Sequence, residues 1–265
     1  MLPVLLSVPH AGRDYPDWLV RMAAAGAGSL TTLEDPLVDR LTWRALQAGV
    51  GAVVAATPRA AVDCNRAADE VDPAIVLGAS RQGMSARTRG GLGVVPSRTQ
   101  SHGHLWRRAI DSRQFAERLD QAYHPYHALI ERELEALRSR FGCALLLDCH
   151  SMPPPSPGVP PIVIGDRHGR SSGRTLSVHA IQIAAAAGFE ARLNDPFAGG
   201  HIIERHGAPD RQIHALQIEI DRRCYLAEGL RDPGDNFDAV ARLIEQLAVG
   251  LGELLLDRPE AIAAE

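Results

Sequence analysis

Two histidines in this sequence stand where an apolar run gives way to a loop. His10 follows the run 2–8 across Pro9, and His150 follows Ala144-Leu145-Leu146-Leu147. Asp148 lies two positions before His150, on the same side of an extended chain. Glu219 stands near the end of a further apolar run, 213–220. Imidazole nitrogens and carboxylate oxygens are the donors of catalytic zinc, which commonly takes two histidines and one carboxylate and keeps a fourth position for water. Residue types and placement therefore point to a metal-dependent centre on His10 and His150. The third ligand stays open at this level. Asp35 and Glu34, at the start of the helix after the first loop, are the leading candidates. Asp148 is either a ligand itself or the carboxylate that fixes an imidazole ring. The spacing matches no short motif of the H-E-x-x-H kind. His102, His104, His168, His179, His206 and His214 read as surface or satisfied core residues. Cys149 is set aside as a nucleophile because neighbours on a strand face opposite ways.

The elements that must position these groups alternate between strand and helix. Apolar runs at 2–8, 50–56, 144–147, 162–164 and 213–220, and the short segment 190–193, read as strands. Helical patterns cover 17–25, 33–48 with Pro36 at its favoured first position, 105–141 with an interruption at Pro125 and a stop at Gly142, 175–187 and 236–256. The stretch 58–96 has little apolar periodicity. A loop of that length inside a compact domain is usually functional, and Asp63-Cys64-Asn65-Arg66 lies within it. The expected fold class is α/β: a mostly parallel, mixed central sheet with helices on both faces, formed by one catalytic domain over 1–265. Ligands of such sheets bind beyond the C-terminal ends of the strands. His10, Asp148, His150 and Glu219 are expected on that rim.

The bulk numbers exclude several function classes. With 45% hydrophobic and 23% charged residues and a formal net charge of −4, the chain lacks the basic excess of a nucleic-acid or anionic-membrane binder. Its 4 cysteines form no C-x-x-C pair, which favours buried free thiols in a reducing compartment. No apolar run approaches the roughly 18 residues of a membrane span, and the run 2–8 lacks the basic flank of a signal peptide. The expectation is a cytoplasmic protein with a small-molecule partner, and homo-oligomerisation is left open.

The order of short motifs then adds a resemblance. Ser7-Val8-Pro9-His10-Ala11-Gly12, Val38-Asp39-Arg40-Leu41, Asp63-Cys64-Asn65-Arg66, Pro125-Tyr126-His127, Asp148-Cys149-His150-Ser151 and Gln217-Ile218-Glu219-Ile220 occur in this sequence. Together they resemble the N-formylglutamate amidohydrolase family, over about residues 4–250. The resemblance implies a fold similar to that of zinc carboxypeptidases and hydrolysis of N-formyl-L-glutamate to glutamate and formate, a reaction of histidine degradation. It implies one Zn2+ per chain on His10, His150 and Asp35, with other divalent metals admitted. It implies that Asn65 and Arg66 grip the substrate carboxylate and that Glu219 is the general base. A dicarboxylate needs a second cation; Arg89, Arg98, Arg205 and Arg222 are candidates, with Arg205 put first. The sequence departs from the wider group where a carboxylate is expected three residues after the first histidine, since Arg13 stands there. Two other readings remain: another zinc-dependent N-acyl amino acid deacylase or peptidase, and a non-catalytic carboxylate-binding protein.

Overall fold

The computed structural model describes residues 1–80, 82 and 84–257. Positions 81 and 83 of the long loop, and 258–265 of the expected domain, lie outside the described residues. The strands are β1 (Val4–Val8), β2 (Gly51–Val54), β3 (Arg98–Thr99), β4 (Gly103–His104), β5 (Ala144–Met152), β6 (Ile162–Gly165), β7 (Ala191–Leu193) and β8 (Ile213–Asp221). The α-helices are α1 (Asp17–Met22), α2 (Ala27–Thr31), α3 (Val38–Leu41), α4 (Trp43–Gln47), α5 (Ala86–Arg89), α6 (Ser112–Arg118), α7 (His124–Phe141), α8 (Arg174–Ala186), α9 (His201–His206) and α10 (Phe237–Asp257). The chain divides into two compact units. Unit 1 comprises Met1–Val8, Asp35–Val54 and Leu129–Glu265; unit 2 comprises Pro9–Glu34 and Ala55–Ala128.

Unit 1 is the expected α/β sheet flanked by helices. Its strand order is β2-β1-β5-β8-β6-β7. Every neighbouring pair runs parallel except β6 with β8. Val, Leu and Ile runs with no polar alternation suit strands covered on both faces, and all residues of β1 and β5 are buried. Helix α10 lays Val240, Leu243, Ile244, Leu247, Leu251 and Leu255 into the core, the 3.6-residue stripe its sequence carries. It packs on β1, β5, α3, α4 and α8, while α9 packs on β5 and β8. Among the described residues, no helix is long and apolar enough to cross a membrane.

Unit 2 is held by a different device. Its core gathers Leu19, Met22, Leu30, Ile75, Val76, Leu105, Trp106 and Ile110, mostly from irregular chain. The long loop folds around buried polar groups of its own. Asp72 accepts from Ser97 Oγ at 2.5 Å and from Ala74 N at 2.8 Å. Local bonds of this kind satisfy backbone and side chain without any helix or strand period, so the sequence pattern shows only a loop.

Three expectations about elements need correction. The helix expected over 33–48 is two short helices beginning at Val38, because Leu37 sits in the left-handed region at φ 61°. Pro36 therefore precedes the helix instead of opening it. The pattern 105–141 is not helical from its start: Leu105 N donates to Ser97 O and Arg107 N to Met22 O at the end of α1, and the first helix waits for the Asp111–Gln114 capping box. At Leu119–Tyr123 one π-helical turn stands where Pro125, with no N–H to give, meets the preceding turn. Finally, β5 runs on to Met152, paired with β8 through Met152 and Asp221. Asp148 and His150 are thus within the strand, not after it.

Candidate active site

In unit 1 the site begins with strand period and register. Asp148 and His150 are two apart on β5, so both point to one face. Parallel pairing sets Gln217 of β8 beside Asp148 and Glu219 beside His150. Ser7 on β1 lies beside Asp148 on the other side and donates its hydroxyl proton to Asp148 Oδ1 at 2.6 Å. The other oxygen, Asp148 Oδ2, is 2.8 Å from His150 Nε2. At the opposite edge of the ring, His150 Nδ1 is 3.0 Å from Asp35 Oδ2. Arg222 closes the group, with Nη2 3.2 Å from Asp35 Oδ1 and Nε donating to Ser151 Oγ at 3.2 Å. Glu219 accepts from Gln217 Nε2 at 2.9 Å, and Gln217 Oε1 accepts from Gly200 N at 2.8 Å. Gly199, at φ 116°, has no room for a Cβ beside Ile203, so this approach of the chain to β8 requires glycine there.

The charge balance of this cluster is acidic. Burial pushes the His150 imidazolium toward losing its proton, but Asp148, Asp35 and Glu219 outweigh burial and hold its pKa well above the usual histidine value. Glu219 is the one half-buried residue of β8, so its carboxylate meets both the cluster and solvent. Nearby, His206 is buried, and burial pushes its pKa down to about 4.

In unit 2 a second pair is built in the same way. His10, buried and two residues past β1, places Nε2 2.7 Å from Asp63 Oδ1. Asp63 also accepts from Asn65 N at 2.8 Å and from Arg59 Nε at 2.9 Å. Burial raises the Asp63 pKa, yet Arg59, His10 and Arg66 overcome it and hold the carboxyl well below its ordinary range. Gly12 pins the segment after His10: a Cβ there would come within 2.4 Å of Thr57 O. Arg66 is buried and charged, with Nε donating to Leu92 O at 2.8 Å and Nη1 to Asn65 O at 2.6 Å. Among the described residues its Nη2 has no hydrogen-bond acceptor, so one nitrogen of a fixed guanidinium is left over.

The candidates from sequence thus fall into groups. His150, Asp35, Glu219 and Asp148 come together in unit 1, and His10, Asn65 and Arg66 come together in unit 2. Glu34, the alternative third ligand, is buried and accepts from Tyr15 Oη at 2.5 Å. Of the arginines considered for a second substrate carboxylate, Arg222 joins the His150 cluster, whereas Arg205 is exposed on α9 and Arg89 and Arg98 bond to carbonyls of their own loop. Sequence reasoning missed Ser7 and Gln217, and it did not see that Asp63 orients His10. A separation of 53 residues hides that last contact. The only available signal was that a histidine at a strand end needs an orienting carboxylate. All four cysteines are free, with Cys64, Cys143 and Cys149 buried and Cys224 half-buried, and burial raises the Cys64 and Cys149 thiols far above the usual range.

Comparison with known proteins places this arrangement. N-formylglutamate deformylase of Pseudomonas putida is 31% identical over 235 residues, covering 86% of this chain and 83% of that protein. The enzyme of the same name from Pseudomonas aeruginosa is 29% identical over the same length. The crystal structure of N-formylglutamate amidohydrolase from Ralstonia eutropha JMP134 superposes with a TM-score of 0.88 at 29% identity, covering 97% of this chain and 95% of that one. The gene product Atu2144 from Agrobacterium tumefaciens shares the fold, with a TM-score of 0.66 at 21% identity over 96% of this chain and 92% of its own. The family model described as N-formylglutamate amidohydrolase matches residues 2–226. A buried histidine–carboxylate cluster on a mostly parallel sheet, in a chain matched over most of its length, places this protein in the N-formylglutamate amidohydrolase family of amide-bond hydrolases.

Proposed function

We propose that this chain hydrolyses the amide C–N bond of N-formylglutamate to glutamate and formate, with His10, Asp35 and His150 holding one zinc ion. The observation that carries the metal is the geometry of the two histidines. Each gives Nε2 to a buried aspartate, Asp63 or Asp148, which fixes tautomer and ring and turns Nδ1 into the donor for an ion. His150 Nδ1 and the Asp35 carboxylate already stand side by side. His10, Asp35 and His150 are all buried, and each offers one ligand atom. The three carboxylates around His150 call for positive charge, which a divalent cation supplies. When bound, the ion polarises the scissile carbonyl and lowers the pKa of the attacking water.

The remaining work falls to side chains. Glu219, half-buried and steadied at Oε1 by Gln217, takes a proton from the attacking water and passes it to the departing amine nitrogen. Arg66 grips a substrate carboxylate with the nitrogen that has no acceptor of its own, and Asn65 stands beside it; Arg205 is assigned the second carboxylate. Both units serve one catalytic domain on this reading, and the enzyme is cytoplasmic and belongs to histidine degradation. The support for the amide hydrolysis is the ordered motif set together with the names of the curated relatives.

The test is the metal content of the purified protein with formate release from N-formylglutamate before and after chelation. About one zinc per chain and chelator-sensitive formate release, restored by zinc, is the expected result. Metal without formate release redirects the substrate to another acyl amino acid. Formate release that survives complete removal of metal would sink the ligand assignment.

A further inference from the structure

Unit 2 carries a second cationic site, formed by none of the residues assigned to catalysis. A cleft of about 650 Å³ is lined by Trp18, Arg21, Met22, Arg107, Arg108 and Arg118, with Gln114, Glu117 and Gln121 completing it. Its floor is Arg118, which is 7% exposed. The guanidinium carbon lies 5.2 Å from the Trp18 ring centroid and 5.7 Å from that of Trp106. Nη1 donates to Ala61 O at 3.1 Å and Nη2 points at Met22 Sδ, 3.8 Å away. Trp106 is fixed in turn, since its Nε1 donates to Pro96 O at 2.6 Å.

Negative charge falls short of positive charge in this cleft. Among the described residues Arg107, Arg108 and Arg118 form no ion pair. Burial alone sets the proton affinity of Arg118 and brings its pKa down to about 10, so the side chain is charged at neutral pH. Glu117, the one carboxylate in the lining, faces Arg113 at 3.6 Å. A buried charge normally comes with a counter-charge, because desolvation is costly and a carbonyl, a thioether and two ring faces repay only part of it. Arg107 and Arg108 are exposed at the cleft and add two further cations. The volume suits a small molecule, not a macromolecule.

We propose that this cleft binds a small oxyanion carrying two or more negative charges, held by Arg118 at the floor and by Arg107 and Arg108 at the mouth, with Trp18 as a wall. Carboxylate and phosphate groups share the required chemistry, since both accept paired N–H donors from a planar guanidinium. Trp18 is 43% exposed and reports on the cleft directly.

The experiment follows tryptophan fluorescence of the metal-loaded full chain at low ionic strength, in a Trp43→Phe background that leaves Trp18 and Trp106. Inorganic phosphate and benzene-1,3,5-tricarboxylate are the probes, and they separate the two anion chemistries. Saturable binding of either probe is expected, weakened by added salt. Arg107→Ala/Arg108→Ala should weaken it at least ~10-fold, the scale of a lost charge-assisted hydrogen bond, with amide hydrolysis unchanged. Arg118→Met should abolish it; if that chain does not fold, the exposed double variant decides alone. No saturable signal up to about 10 mM of either probe, or binding untouched by the double variant, overturns the proposal.

Discussion

The two units each bury a histidine against an aspartate, and the charges around the two pairs have opposite sign. His150 faces Asp148, Asp35 and Glu219, with Arg222 as the cation paired to Asp35, so the imidazole is driven toward its protonated form. Asp63, the partner of His10, sits among Arg59 and Arg66, and there the carboxylate is driven toward ionisation. The same kind of hydrogen-bonded pair thus stands in two electrostatic settings, and in each the charged neighbours outweigh burial of the group they shift. The acidic setting suits a cation and a general base. The basic setting suits an anionic substrate.

The contrast can be attacked at several points. The largest effect is expected for Glu219→Gln, which keeps shape and hydrogen bonding but cannot take a proton. Its kcat should fall by ~10²–10⁴ with metal content retained. Near-normal turnover would remove Glu219 from the chemistry. Next come Asp148→Asn and Asp63→Asn, each expected to lower zinc affinity by ~10–100-fold because each frees a ring that the carboxylate fixed. Asp63→Asn should lie at the larger end. It removes the negative charge that stands beside the half-buried Arg59 and the buried Arg66, whereas Asp148→Asn leaves Asp35 and Glu219 in place. Equal losses, measured by competition with a chelating dye, would show that the difference in charge setting has no consequence for the metal.

A smaller effect is expected for Arg66→Lys. Losing the planar fork should raise KM about 10-fold with little change in kcat, since binding and not proton transfer is disturbed. An unchanged KM would end its role in substrate binding.

The last prediction concerns stability in acid. Unit 1 contains two buried histidines shifted the other way from His150: His206 and His214, whose pKa values burial lowers to about 4. His214 Nδ1 accepts from Gly173 N at 3.2 Å, so a proton added to that nitrogen would meet an N–H. For both groups the folded pKa lies below the unfolded value near 6.5, so the unfolded chain binds protons first. Stability is therefore intact above about pH 6.5 and is lost as pH falls toward 4, by up to about 3 kcal/mol for each histidine. Urea denaturation across this range should show the slope, and His206→Gln should flatten it. A profile identical to the parent chain would remove His206 from the titration.

How much of this was legible beforehand differs between the two regions. Unit 1 announced itself because its strands are near-continuous apolar runs and α10 carries an unbroken stripe, and such periods survive in a bare sequence. The extra length of β5 was not visible, since Asp148, His150 and Ser151 look like a loop until β8 is there to pair with them. Unit 2 gave almost no period. Asp72, Ser97, Trp106 and Arg118 each satisfy irregular backbone or one another, and contacts of that kind have no spacing rule.

By itself the sequence determined the α/β class, the positions of the strands in the central sheet, the free thiols and the set of residues able to do chemistry, because side-chain period and residue type are local properties. Only the tertiary structure decided which carboxylate orients which histidine, that Asp35 meets His150 while Glu34 goes to Tyr15, and that Arg118 is buried without a counter-charge. Hydrogen bonds reach about 3 Å, and nothing in a linear chain says which two distant residues will come that close.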